Sequence, residues 1–382
     1  MSKGRAAFAL IMMIGQLSSI LMATTSPSPY DTIQTVDPDA SRETKALFAN
    51  LRALAPERTL FGQQDALAYG VHWKEWHEWR SDVNDVSGRF PALFGWDLSK
   101  LGQDRYNIDT VSFKQIQNWM QEVYRQGGIN TLSWHFDNFV TGGDSWDCGE
   151  RVVAAILPGG SHHHAYRDKL DLFADFVKEL RVGFIFKKDI PIIFRPFHEH
   201  TGNWFWWGKN YCSPEEYKAL WRFTVEYLRD EKDMHNLLYA YSPDVFRDRD
   251  HYLECYPGDE YVDILGLDDY HDVGRHGRTK DLVERLRIIV ELAEEKGKVA
   301  ALTETGFERI PQADWWTERL LAAIQSDPVA ARIAWLLVWR NAREDHHYGP
   351  YPGHPSAANF IEFSQDPSLI FQDNLNQIYH LK

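Results

Sequence analysis

Between Thr59 and Trp339 eight short apolar runs alternate with amphipathic stretches, and this alternation restricts the possible folds more than any other feature of the chain. The runs are 59–63, 90–96, 129–134, 190–194, 236–241, 262–267, 299–303 and 333–339. Their β-branched, aromatic and aliphatic content suits strands buried on both faces. The stretches 112–126, 166–180, 213–230, 280–296 and 313–324 have the spacing of helices that bury one side. Ser213-Pro214-Glu215-Glu216 supplies an N-cap hydroxyl, a proline at the first helical position and a capping-box glutamate. Gly297 supplies a helix stop directly before the next strand. Eight such units without a break in composition imply an α/β fold of one kind, a closed (β/α)8 TIM barrel, rather than an open doubly wound sheet.

A barrel gathers reactive side chains just after its strands, and this sequence is rich there. The fourth run leads into FRPFHEHTGNWFWWG, which delivers Arg195, His198, Glu199 and His200 and then a potential aromatic wall from Trp204 to Trp207. Pro196 has no N–H to donate, so regular pairing is expected to end there. His135 and Asp137 follow the third strand, Asp268 and Tyr270 the sixth, Glu304 the seventh, and Trp339, Arg340 and Asn341 the eighth. Polar groups beside aromatic rings suit a sugar, which stacks on the rings and hydrogen-bonds at its edge.

The chain of 382 residues is 44% hydrophobic, enough for one large core. Its formal charge of −14 disfavours nucleic acid and an anionic membrane surface. Lys3 and Arg5, the apolar run 6–14 and the serines before Met22 and Ala23 read as a secretory signal over 1–23. A secreted or periplasmic enzyme is expected, with no membrane contact after signal removal. Residues 24–40, rich in Ser, Thr, Pro and Asp, read as an arm or linker, and 41–382 as the catalytic barrel. Cys148, Cys212 and Cys255 permit at most one intrachain disulfide.

Glu199 and Glu304 end strands whose mouths face each other across a barrel, where a carboxylate is costly unless used or hydrogen-bonded. Two such carboxyls about 5–5.5 Å apart serve retaining glycoside hydrolysis, and a wider gap serves inversion. If 198–200 continued the strand, His198 and His200 would share one face and Glu199 the other, so a metal site is not expected there. The histidines 162–164 read as an exposed loop. Phosphate-loop and GxSxG patterns are missing, which disfavours nucleotide binding and serine hydrolysis. Trp221, Trp315, Trp316 and Trp335 are assigned to the core, and Trp204 and Trp339 to sugar stacking. Trp146 and Trp207 fit either role.

Segments 194–208, 264–270 (ILGLDDY), 303–306 (TETG), 339–341 (WRN) and 351–354 (YPGH) together resemble the β-mannanases of glycoside hydrolase family 26. These belong to a clan of barrels whose catalytic glutamates end strands four and seven. The resemblance implies Glu199 as acid/base, Glu304 as nucleophile, His198 as a group orienting the acid/base region, and Tyr270 as a hydrogen-bond partner of the nucleophile. It implies His135, Trp204, Asp268, Trp339 and Arg340 as sugar contacts on the glycone side. The implied substrate is β-mannan polysaccharide or manno-oligosaccharide, cleaved by double displacement by a monomer that needs no cofactor and no metal. Loops 139–150 and 343–350 do not follow the family pattern, so endo or exo action and tolerance of galactose branches stay open. Another β-glycan, β-1,3-xylan or mixed-linkage β-glucan, is the alternative substrate, and a non-catalytic sugar-binding barrel the more distant reading.

Overall fold

The computed structural model describes residues 28–74, 79–149 and 151–381, so the expected signal over 1–23 lies outside the described residues. Eight parallel strands form a closed barrel: β1 (Thr59–Gln64), β2 (Leu93–Asp97), β3 (Ile129–Ser133), β4 (Ile192–Arg195), β5 (Leu237–Tyr241), β6 (Ile264–Asp269), β7 (Val299–Thr305) and β8 (Trp335–Val338). β8 pairs back onto β1 through Leu60–Trp335 and Gln63–Val338, which leaves the barrel without an open edge. A short strand, Leu369–Ile370, pairs with the start of β1.

Period-two alternation divides the side chains between interior and helix layer. Ile192 and Phe194 of β4 join the large outer cluster under the helices, whereas Ile193 joins Leu60, Leu93, Ile129, Leu238 and Ile264 in a second cluster. Leu47, Phe48 and Leu51 of helix Arg42–Leu54 belong to that second cluster and close the N-terminal end. Trp221, Trp315, Trp316 and Trp335 are fully buried, as assigned.

Local signals act as the sequence suggests at two helices. Ser213 Oγ accepts from Glu216 N–H, the Glu216 carboxylate accepts from Ser213 N–H, and Pro214 opens the helix Pro214–Glu226. Helix Thr279–Lys296 ends on Gly297 in the left-handed conformation. The histidines 162–164 depart from expectation. They begin helix His163–Lys178 instead of a loop, because Tyr166 N–H bonds to His162 C=O and carries the helix one turn upstream of its first buried residue. Within 24–40, residues 28–40 are fastened to the barrel: Val36 N–H donates to Asp263 Oδ1 at 2.7 Å, and Asp37 pairs with His235 at 2.8 Å. All three cysteines are free thiols.

Candidate active site

β4 stops at Arg195, since Pro196 offers no N–H to the next strand. The backbone then turns sharply, with Phe197 and Glu199 both in the left-handed region (φ +50° and +56°). Positive φ in such residues costs about 1–3 kcal/mol each, so the surroundings must hold it. They do: the Phe197 ring stacks on Phe136, its carbonyl accepts from Tyr217 OH, and Glu199 N–H donates to Ser242 C=O. The strand parity expected for His198-Glu199-His200 is therefore corrected. The turn, not strand alternation, separates the two imidazoles, sending His198 toward His135 and Phe205 and His200 toward Tyr217 and Tyr241.

Glu304 reaches the cavity by a different device. Register shifts between Leu267 and Asp268 on β6, and between Leu336 and Val338 on β8, mark a bulge in β7 around Thr303. A bulge re-aims a side chain. Here it lets both Thr303 and Glu304 face the interior group at Asp268, which strict alternation would forbid. Gly266 lies beneath, where an added Cβ would sit 2.6 Å from Thr303 Oγ1 and 2.9 Å from Ser242 Cβ.

Carboxylate oxygens of Glu199, Asp268 and Glu304 lie within 4.8 Å of one another. Three acids so close require neutralisation, and Arg195 supplies it from the same strand-end layer. Its Nη1 donates to Asp268 Oδ2 at 2.7 Å and its Nη2 bonds Glu304 Oε1. The triad that could hold a metal ion already contains a guanidinium. Tyr270 OH donates to Glu304 Oε2 at 2.7 Å, and the charge of Glu304 together with burial keeps that phenol protonated. Both oxygens of Glu304 thus accept hydrogen bonds.

Burial, then the charges of Glu304, Asp268 and Asp244, raise the pKa of Glu199 well above the ordinary value. Trp204 Nε1–H donates to Glu199 Oε2 at 2.6 Å. The Trp204 ring lies against Gly202, where a Cβ would come within 2.4 Å of the indole.

The remaining expected residues divide. His135 lines the site, its Nδ1 2.7 Å from Asp97 Oδ2; burial alone would lower its pKa, but the Asp97 carboxylate outweighs it and the shift is upward. Trp339 lies 6.4 Å from that imidazole. His198 is buried and held neutral by burial and by Arg195. Its carbonyl accepts from Trp207 Nε1–H, so it braces the turn carrying Glu199. Arg340 bonds Asp109 and Tyr69 OH beside a cavity of about 620 Å³ formed by loops after β1, β2 and β8. Asp65, in the same group, is pushed up to about 8 by burial and by Asp109.

Asp268, expected at the sugar, is 0% exposed, and both its oxygens are engaged by Arg195, Ser242 and Thr303, so it holds Arg195 in place. The aromatic wall is also narrower than expected: Phe205, Trp206 and Trp207 are buried, and Trp204 alone of the four stays partly open. Trp146 is 47% exposed and stacks on His135 at 5.4 Å, which places it on the cleft side. Arg195, Asp97 and Tyr69 were given no role from sequence, although Arg195 and Asp97 obey the same strand-end rule as the glutamates.

Residues 36–332 match the family model described as Glycosyl hydrolase family 26. A mannan endo-1,4-beta-mannosidase of Bifidobacterium adolescentis is 37% identical over 74% of this chain, and one of Caldalkalibacillus mannanilyticus is 28% identical over 69%. This chain spans 28% of the length of the first and 52% of the second. Among solved structures, a GH26 beta-mannanase from Bacteroides ovatus superposes with TM-score 0.85 at 42% identity, covering 90% of this chain and 98% of that one. An endo-beta-1,4-mannanase from Cellulomonas fimi gives 0.85 at 40%, covering 92% and 80%.

Proposed function

The chain belongs to glycosyl hydrolase family 26, and from that premise we propose that it hydrolyses β-1,4-mannosidic bonds in mannan, glucomannan or galactomannan with retention of configuration. The observation that carries the reading is the approach of Glu199 and Glu304 oxygens to within 4.8 Å. That approach suits double displacement, whose two carboxyls stand about 5–5.5 Å apart, whereas inversion sets them roughly 6.5–9.5 Å apart to seat its water.

Glu304, held between Arg195 and Tyr270, attacks the anomeric carbon. Glu199 gives its carboxyl proton to the departing glycosidic oxygen. The C–O bond to the leaving sugar breaks as the bond to Glu304 forms. Glu199, now anionic, takes a proton from water, whose oxygen displaces Glu304 and regenerates both groups. The same neighbours that raise the Glu199 pKa keep it protonated for the first half of this cycle. Trp204, Trp146 and Trp339 offer faces for the sugar rings, and His135 a polar edge.

Product analysis on mannan, xylan and mixed-linkage β-glucan tests substrate and chemistry together. Rapid release of manno-oligosaccharides with little action on the other two supports the proposal. Preferential cleavage of xylan or glucan would overturn the mannan assignment, and no cleavage of any of the three would overturn the catalytic one.

A further inference from the structure

The catalytic mouth has a side chamber that cleavage of an unbranched chain does not use. A cavity of about 270 Å³ opens between the loops after β6, β7 and β8. Tyr270 forms its wall toward the catalytic centre, with the phenol on Glu304 Oε2 at 2.7 Å. Tyr348 stands edge-on to that ring, centres 5.6 Å apart, and Phe307 adds a third ring. The chamber is thus one tyrosine ring away from Glu304.

The backbone that follows Glu304 builds these walls. Gly306 has φ +146°, and a Cβ there would come within 2.5 Å of Tyr348 Cδ1, so glycine lets that ring lie against the strand end. Arg309 and Ile310 also have positive φ, +65° and +42°, a conformation that only firm surroundings maintain. Arg309 N–H donates to His347 C=O at 2.8 Å, Ile310 N–H donates to Phe307 C=O at 2.9 Å, and the Ile310 side chain is buried. A strained loop pinned in this way presents a formed surface.

The lining chemistry points to the occupant. The three rings offer faces, Glu308 offers a carboxylate held by His346 Nδ1 at 2.8 Å, and Arg309 offers donors. One acid and one base leave no strong sign of charge, which suits a neutral polyhydroxylated ligand. The volume is that of about nine water molecules in the liquid, room for one hexosyl unit and not for a run of them.

Barrel order fixes how such a unit arrives. Glu199 on β4 and Glu304 on β7 face each other, so a polysaccharide between them runs from the β1 and β2 side, where the larger cavity beside Arg340 lies, toward β5. The chamber flanks this course on the Glu304 side and admits a substituent, not the main chain. In a β-1,4-linked mannan successive units direct their C6 groups to alternate sides. One of the two units at the cleaved bond therefore turns its O6 toward the chamber. Tyr348 also belongs to 343–350, one of the loops in which the sequence leaves branch tolerance open.

On the mannan reading given above, from which this step proceeds, we propose that the chamber is a subsite for a galactosyl branch on O6 of a mannosyl unit at the cleaved bond. The enzyme then cuts beside branches instead of stopping at them.

The test compares a galactomannan with the same polymer stripped by α-galactosidase. Wild type should cleave both with similar kcat/KM, and its products from the branched polymer should carry galactose on mannosyl units at newly formed ends, read by mass spectrometry. Glu308→Trp, which fills the chamber with an indole, should lower the branched-to-stripped ratio of kcat/KM about tenfold or more, because the clash acts on one substrate alone. Galactose confined to interior units in every wild-type product would overturn the proposal, and this measurement needs no variant. So would an unchanged ratio in folded Glu308→Trp. Failure to cleave even the stripped polymer would overturn the mannan reading itself, and the branch subsite with it.

Discussion

In the lower half of the barrel the interior is filled by Leu93, Ile193 and Ile264, whereas two to four residues farther along the same strands it holds Asp97, Arg195 and Asp268. On β2, β4 and β6 the side-chain parity is the same at both levels. The lower layer gains by removing apolar area from water, and replacing one of its side chains would leave a void. The upper layer consists of charges that burial penalises and that hold each other in place through Arg195, Tyr270, Ser242 and Thr303. Stability and chemistry are thus assigned to different heights of one barrel, so a substitution at one height should leave the other function largely intact.

The most severe test of that separation is Glu304→Ala. Loss of the proposed nucleophile should lower kcat/KM on the order of 10⁵-fold. The Tm should hold or rise, because one of three crowded carboxylates is gone. A large fall in Tm would mean that the upper layer also supports the fold.

Glu199→Ala comes next and sharpens the assignment of roles within the upper layer. On polysaccharide, kcat should fall by about 10²–10⁴, the usual worth of a general acid. Aryl mannosides with good leaving groups should retain most of their glycosylation rate, as no proton is needed for departure. Equal loss on both substrates, with the fold intact, would show that Glu199 is not the acid.

Phe48→Ala is the counterpart at the lower end. Truncating this fully buried ring of helix Arg42–Leu54 should cost about 3–5 kcal/mol of stability. The kcat measured well below the lowered Tm should stay within a factor of two or so of wild type by the independence of distant sites. A parallel collapse of kcat in the folded variant would break the separation.

Trp204→Phe is the smallest effect and the finest probe. Glu199 acts as an acid only while protonated, so activity is present below its raised pKa and falls as pH rises through it. The Trp204 hydrogen bond favours the ionised carboxylate and holds that pKa down. Removing it should move the basic limb of the kcat/KM profile upward by about one pH unit. A downward shift would contradict the hydrogen-bond assignment.

Much of this division was legible in the chain. All eight strands follow from apolar runs, and both glutamates from their position at strand ends, because burial and strand polarity are written in local composition. What lay beyond reach depended on register and on turns. The bulge that brings Glu304 beside Asp268 comes from pairing between β6, β7 and β8, which no single strand displays. The left-handed Phe197 and Glu199 come from packing on Phe136, Tyr217 and Ser242, so extrapolating strand parity past Pro196 failed. The bond from Arg195 to Asp268 was not legible either, because a strand-end acid looks the same whether it faces the cleft or a neighbouring cation.

The account rests on Glu304 forming a covalent bond to the sugar. Incubation with a 2-deoxy-2-fluoro-mannosyl fluoride, which slows release of that intermediate more than its formation, followed by peptide mass spectrometry, reads the bond directly. A single fluorosugar on the peptide containing Leu302-Thr303-Glu304-Thr305-Gly306, lost in Glu304→Ala, is the predicted result. A label on Glu199 or elsewhere would contradict it.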